Sequence, residues 1–132
     1  MTRVLLDTTF LIDAERDSAV LDEMIADDDD AAIAAVTVAE LQVGVAFATG
    51  RRRDARQAFL QGVIDSLPVV TYDLAVADAH AGLLAYVRRQ GTPRGAHHLI
   101  IAATALAAGR ALVTADRTAF ESLPGLDYRF HR

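Results

Sequence analysis

Four short apolar segments of this chain each end on, or begin beside, a polar side chain of a kind that binds metal ions. Val4-Leu5-Leu6 runs into Asp7, residues 33–38 lead to Glu40, Leu112-Val113-Thr114 leads to Asp116, and the segment 99–103 is preceded by His98. Open α/β sheets gather their ligands at the carboxyl ends of buried strands, so acids far apart in sequence meet there. The three acids read as a hard-metal site. His98 does not match them in chemistry.

At 132 residues the chain is long enough to bury its own core, and residues 1–132 are expected to form one domain. The absence of cysteine excludes a disulfide framework, thiolate zinc sites and thiol catalysis. Asp7, Asp13 and Glu15 interrupt the N-terminal apolar stretch, which therefore reads as neither a secretory signal nor a membrane span. The expectation is a soluble cytoplasmic protein without membrane association. All 13 basic residues are arginines, which removes P-loop phosphate binding and Schiff-base chemistry. A net charge of -5 argues against broad adhesion to nucleic acid, though it leaves room for a local basic face.

Strand and helix patterns alternate along the chain. Residues 3–6 read as a buried first strand that stops at the polar Asp7-Thr8-Thr9. Ser18 is placed to cap a helix through Ile25, and residues 27–30 form an acidic turn whose like charges favour a solvated loop. Residues 33–36 make a second strand. Thr37 and Glu40 then match a capping box, which starts a helix carrying Leu41, Val45 and Ala48 and ending near Gly50. A further helix over 52–65 is broken by Pro68, and Val69-Val70 is a brief third strand.

Asp73 caps a long helix with Leu74, Ala77, Ala81, Leu84 and Val87 at helical spacing, closed by Gly91. After a turn over 92–95, residues 97–108 are apolar nearly all round, as in a buried helix, and Gly109 stops them. A strand over 111–114, a short helix around 118–122 and a last strand over 128–130 complete the pattern. Such alternation implies an α/β fold: one three-layer domain with a central parallel sheet of four to five strands and helices on both faces.

Asp7, Glu40 and Asp116 fall on the same edge of that sheet. Two carboxylates ~5 Å apart repel by about 3 kcal/mol at an effective dielectric of ~20, so three together favour protonation or a bound cation. Oxygen-only ligation selects Mg²⁺ or Mn²⁺, and the chemistry indicated is metal-assisted phosphodiester hydrolysis. Taken singly, each acid also suits a turn or a helix cap.

At this point the chain resembles PIN-domain nucleases, particularly the VapC-type toxins of toxin–antitoxin pairs. Asp7-Thr8-Thr9-Phe10-Leu11-Ile12 is similar to their first motif, and Val36-Thr37-Val38-Ala39-Glu40-Leu41 with Gly44 to their second. Residues 95–105 are similar to the third, and Leu112-Val113-Thr114-Ala115-Asp116 with Phe120 to the fourth. The resemblance implies a PIN-like fold and an RNA-cleaving toxin, with Asp7, Glu40 and Asp116 as Mg²⁺ or Mn²⁺ site acids. It also implies that the Thr9 and Thr114 hydroxyls hold substrate, water or the carboxylates, and that the protein is a homodimer. A VapB-type antitoxin would block the cleft with its C-terminal segment.

Position 98 departs from the family, which normally has an aspartate there. A neutral imidazole ligates Mn²⁺, Fe²⁺ or Zn²⁺ but is a poor ligand for Mg²⁺, and the change removes one negative charge. Three readings stand side by side: a substitution, natural or introduced, that inactivates the site; a ligand that shifts its metal preference; or a histidine that only faces the cleft. His97, His80 and His131 are read as structural. Arg51-Arg52-Arg53 with Arg56, and Arg88-Arg89 with Arg94, are the candidate nucleic-acid contacts. The arginines at 51–53 oppose the helix macrodipole, although pairing with the acids at 27–30 or with Asp54 is the competing explanation. The three Tyr and five Phe are not interleaved with these arginines, so base stacking is not indicated. The alternative function is a catalytically disabled PIN-like module that binds antitoxin or RNA.

Overall fold

The computed structural model describes residues 1–131, with Arg132 outside the described residues. Five strands, β1 (Arg3–Leu6), β2 (Asp30–Ala34), β3 (Val69–Val70), β4 (Ala111–Thr114) and β5 (Tyr128–Phe130), form an all-parallel sheet in the order β3-β2-β1-β4-β5. Seven helices among the described residues connect them: α1 (Thr8–Arg16), α2 (Ala19–Met24), α3 (Ala35–Phe47), α4 (Gly50–Ser66), α5 (Leu74–Gln90), α6 (Ala96–Ala108) and α7 (Arg117–Phe120). β1 is central, with β2 on one side and β4 on the other, so the order of the chain reverses across β1. Ligands of open α/β sheets lie at such a switch point.

Period-two alternation divides the strand side chains between two cores. Leu5 and Leu112 pack with Leu83, Val87, Leu99, Ile101 and Phe120 on the α5–α7 face. Val4, Leu6, Ile33 and Val113 pack with Phe10, Leu11, Leu41, Val45 and Leu60 on the α1–α4 face. Both faces of the inner strands β1, β2 and β4 are buried, which is why they read as continuous apolar runs, whereas the edge strands β3 and β5 expose Val69 and Tyr128. The expected three-layer fold is therefore present, with five strands.

Several local expectations are corrected. Asp7-Thr8-Thr9 does not open a turn: helix α1 begins at Thr8, and its buried Phe10, Leu11 and Ala14 supply a helical stripe. The capping box at Thr37 is not formed. β2 ends at Ala34, which is extended and serves as the N-cap of α3 without a side-chain bond, so Thr37 and Glu40 lie within the helix. The buried face of α5 is set by Val76, Leu83 and Val87, whereas Leu74 is 83% exposed. Asp73 does cap α5, accepting a hydrogen bond from the Val76 N–H at 3.0 Å. Gly91 (φ 66°) and Gly109 (φ 63°) close α5 and α6 in the left-handed region, as glycine permits.

The acidic run is not simply solvated. Asp29 accepts a hydrogen bond from Arg129 at 2.8 Å, and Asp30 pairs with Arg110 at 3.2 Å, with Arg3 at 3.9 Å. These contacts tie the turn before β2 to β5 and to the start of β4. The hydrogen bond from Arg129, helped by the Ala26 N–H, holds the Asp29 carboxyl below its usual value of 3.8. A depressed folded-state pKa stabilises the native state above the unfolded value, and that contribution fades as pH falls through the lower folded value. Asp29→Asn is accordingly expected to lower the urea midpoint at pH 7, with the gap to the parent chain closing at pH values below 3.8.

Candidate metal centre

The pairing of Leu6 with Val113 sets Asp7 beside Thr114 at the carboxyl edge of the sheet, and the Asp7 N–H donates to the Val113 carbonyl at 2.8 Å. Asp7 is 1% exposed. Its Oδ2 accepts two short hydrogen bonds, from Thr9 Oγ1 and from Thr114 Oγ1, both at 2.7 Å. Each hydroxyl has one proton, and both protons point at the carboxylate, so the 3.3 Å between the two hydroxyl oxygens is a contact only. The same oxygens accept from the backbone: Thr9 Oγ1 from the Ala115 N–H (3.2 Å) and Thr114 Oγ1 from the Asp116 N–H (3.0 Å). Thr9 and Thr114 thus fix the Asp7 carboxylate to the β4–α7 loop.

Glu40 reaches this edge from the second turn of α3. Its Oε1 accepts from Thr8 Oγ1 at 2.9 Å, and Thr8 also lies 3.2 Å from the buried Thr37 hydroxyl. The two residues read as a capping box are instead joined by a threonine of α1. Thr8 was not anticipated as a site residue. The signal that would have found it is the helical stripe of Phe10, Leu11 and Ala14, which makes Thr8 the first residue of a helix facing α3.

Asp116 caps α7, its Oδ1 accepting from the Ala119 N–H (3.2 Å) and from Thr118 Oγ1 (3.1 Å). The cap leaves Oδ2 turned toward His98, whose Nε2 is 3.9 Å away. The His98 imidazole stands edge-on to Phe120, with ring centroids 5.4 Å apart, and so occupies the position opposite Asp116. His97 is corrected: its Nδ1 lies 3.5 Å from Glu40 Oε2. Neighbouring helical residues face different ways, and here the acids flank the start of α6 on two sides. His80 and His131 lie elsewhere: His80 shares a hydrogen bond with the Tyr72 hydroxyl (2.9 Å), and His131 Nε2 stands 3.6 Å from Asp13 Oδ2.

Among the described residues no Arg or His lies within 4.0 Å of the Asp7 carboxylate, and its Oδ1 takes no hydrogen bond. A buried carboxylate held by neutral hydroxyls alone, with one oxygen open on the sheet edge it shares with Glu40 and Asp116, fits a hard divalent cation. Among the described residues no three His, Asp or Glu side chains close round a common point. That suits an ion such as Mg²⁺, which keeps several waters and takes one or two carboxylates. Asp7, with its open oxygen, fits such an ion, whereas the three acids together do not converge on one point.

Of the predicted arginine clusters, Arg51, Arg52, Arg53, Arg88 and Arg89 are exposed, whereas Arg56 and Arg94 are half-buried and donate to the Gly44 and Thr92 carbonyls. No pairing of Arg51, Arg52 or Arg53 with residues 27–30 or Asp54 occurs among the described residues. A cleft of about 470 Å³ between α1, α3 and α4 contains Glu40, Arg52 and Arg56. A larger cleft of about 840 Å³, lined by Leu21, Ile25, Phe59 and Leu67, contains none of the site acids. No helix among the described residues is long and apolar enough to cross a membrane.

Residues 4–126 match the family model described as PIN domain. A VapC ribonuclease of Sinorhizobium fredii is 38% identical over 99 residues, covering 72% of this chain and 70% of that protein. The VapBC2 complex of Rickettsia felis, solved with a DNA fragment from its promoter, contains a chain that superposes with a TM-score of 0.89. The identity is 22%, with 99% of this chain and 100% of that chain covered. A chain of the DNA-bound VapBC complex of Salmonella typhimurium superposes with a TM-score of 0.83 at 25% identity, covering 98% of each chain.

Proposed function

The chain belongs to the PIN-domain family, and from that membership we propose that it is the endoribonuclease toxin of a toxin–antitoxin pair, hydrolysing RNA phosphodiesters with a divalent cation. The observation that carries the reading is the buried Asp7 carboxylate, fixed by Thr9 and Thr114 and left open on one oxygen, on the sheet edge it shares with Glu40 and Asp116. Asp7 would hold Mg²⁺ or Mn²⁺ through its open oxygen, with Glu40 and Asp116 as further acids of the same sheet edge that would meet the ion directly or through its waters. When bound there, the ion supplies Lewis acidity toward a phosphoryl oxygen and activates water for attack.

The protein's own residues have distinct tasks. Thr9 and Thr114 hold Asp7 in one rotamer, so its open oxygen does not reorganise during the reaction. Thr8 does the same for Glu40, holding Oε1 and leaving Oε2 toward His97. Asp116 uses one oxygen to cap α7 and presents the other. A VapB-type antitoxin is the proposed partner, supported by the VapBC complexes among the structural relatives, and a second copy of the chain is the proposed assembly partner.

His98 sets the metal preference in this reading. An imidazole facing Asp116 across 3.9 Å supplies a nitrogen donor where the family carries a third or fourth carboxylate, which weakens Mg²⁺ relative to Mn²⁺. His98→Asp is expected to tighten Mg²⁺ binding about 10-fold, as changes at ligand positions commonly do, and to raise cleavage in Mg²⁺. Calorimetric titration with each ion and gel-based cleavage of total RNA read the two effects separately. Equal affinities for both ions before and after the substitution, with no cleavage by either protein, would leave the disabled binding module as the function.

A further inference from the structure

The cleft beside Glu40 is walled by cationic side chains from two helices. Arg16 projects from the end of α1, Arg52 from the first turn of α4 and Arg56 from its second. Arg56 is anchored, its guanidinium donating to the Gly44 carbonyl at 2.9 Å. Glu15 and Glu40 line the same cleft, yet among the described residues neither lies within 4.0 Å of Arg16, Arg52 or Arg56 in a salt bridge. At the opposite edge of the sheet the arginines are engaged: Arg3 and Arg110 with Asp30, and Arg129 with Asp29.

Helix stability does not account for the arrangement. Arg52 sits in the first turn of α4, where the macrodipole is positive and where no acidic residue offsets it. A net negative chain thus maintains three unpaired cations around a cleft that opens onto a site for phosphodiester chemistry. Phe59 is the one aromatic ring in the lining, so the cleft suits a charged backbone and offers little for base stacking.

We propose that this cleft binds the phosphate backbone of RNA flanking the linkage that is cut, with Arg16, Arg52 and Arg56 each meeting phosphate oxygens. The inference rests on the ribonuclease reading and adds the path of the substrate: the strand leaves the acid cluster past Glu40 and runs between α1 and α4. Guanidinium groups bind phosphate through paired N–H donors, and the Gly44 bond leaves Arg56 with donors to spare. Contacts of this kind add affinity without sequence preference.

The test is equilibrium binding of a fluorescein-labelled single-stranded RNA of mixed sequence to the full chain, read by anisotropy in EDTA so that nothing is cut. Arg16→Gln and Arg52→Gln are each expected to weaken binding about 3- to 10-fold and to reduce the slope of log K against log salt by about 0.7. Arg3→Gln, the same charge change at the far edge of the sheet, is expected to leave binding unaltered. Unchanged affinity in the first two variants, an equal loss in Arg3→Gln, or no binding at all would overturn the proposal. So would displacement of the RNA by polyglutamate at equal charge concentration, which would make the cleft a site for acidic peptide. Asp7→Asn separates the two readings: it should keep RNA binding while losing cleavage, and cleavage that persists in it sinks the nuclease reading whatever the arginines do.

Discussion

Asp7→Asn is expected to lower RNA cleavage on the order of 10³-fold while leaving the fold intact, because it removes charge at the reacting centre without changing shape. An asparagine carbonyl oxygen can accept from Thr9 and Thr114 as Asp7 Oδ2 does, at the same 2.7 Å positions. The lost element is the negative charge on the open oxygen. In EDTA the urea midpoint should be unchanged or higher, since a buried carboxylate without a cation is unfavourable and the amide is not. Added Mn²⁺ should raise the midpoint of the parent chain by mass action and have no effect on the variant. Cleavage is best read with Mn²⁺ and also in the His98→Asp background, so that any weakness of the parent site does not mask the loss. Equal metal stabilisation of parent and variant would remove Asp7 from the site.

Phe120→Ala is the second large effect, expected to destabilise the protein by about 3–5 kcal/mol. Phe120 is fully buried and packs in the core of the α5–α7 face with Leu99, Leu112 and Leu123. Removing the ring leaves a cavity that the short helix α7 has little freedom to close. The same ring stands edge-on to His98 at 5.4 Å, so its loss also frees the imidazole from its place opposite Asp116. Urea denaturation gives the stability, and metal titration of the remaining folded protein shows whether preference between Mg²⁺ and Mn²⁺ relaxes. Phe120→Leu should recover much of the stability but not the edge-on contact. A stability loss under 1 kcal/mol in the alanine variant would contradict the packing described.

The strands were largely legible because each is short, apolar and bounded by polar or turn residues: β1, β3, β4 and β5 fall where their residue patterns place them. The glycine stops at 91 and 109 were legible for a steric reason, since left-handed backbone favours residues without a Cβ. Helix α1 was not, because Asp7-Thr8-Thr9 has the composition of a turn and the stripe behind it is only one face of nine residues. The capping-box pattern at Thr37 and Glu40 misled because local spacing cannot reveal a partner 29 residues away: Thr8 meets both side chains only once α1 packs on α3. In the acidic run at 27–30, Asp27 and Asp28 are exposed as their charges suggest, but Asp29 and Asp30 are not, since the arginines that pair with them, Arg129 and Arg110, come from the far end of the chain. At the site, Asp7, Glu40 and Asp116 were indicated by their places after strands, and Thr9 and Thr114 only by the resemblance to PIN-domain nucleases. The approach of His97 to Glu40 was hidden because it depends on how α6 meets α3.

The hydrogen bond from Thr114 to Asp7 spans 107 positions of sequence. During synthesis the amino-terminal acids therefore emerge long before the strand that orients them, and loop closure on that scale is slow compared with local helix formation. A nascent chain carrying Asp7 and Glu40 but lacking β4 has the β1–β2 pairing and the Thr9 hydroxyl, but neither the β1–β4 pairing nor the second hydroxyl that fixes the carboxylate. For a protein that cuts RNA, this order of events delays the finished cutting edge until β4 has emerged and paired with β1.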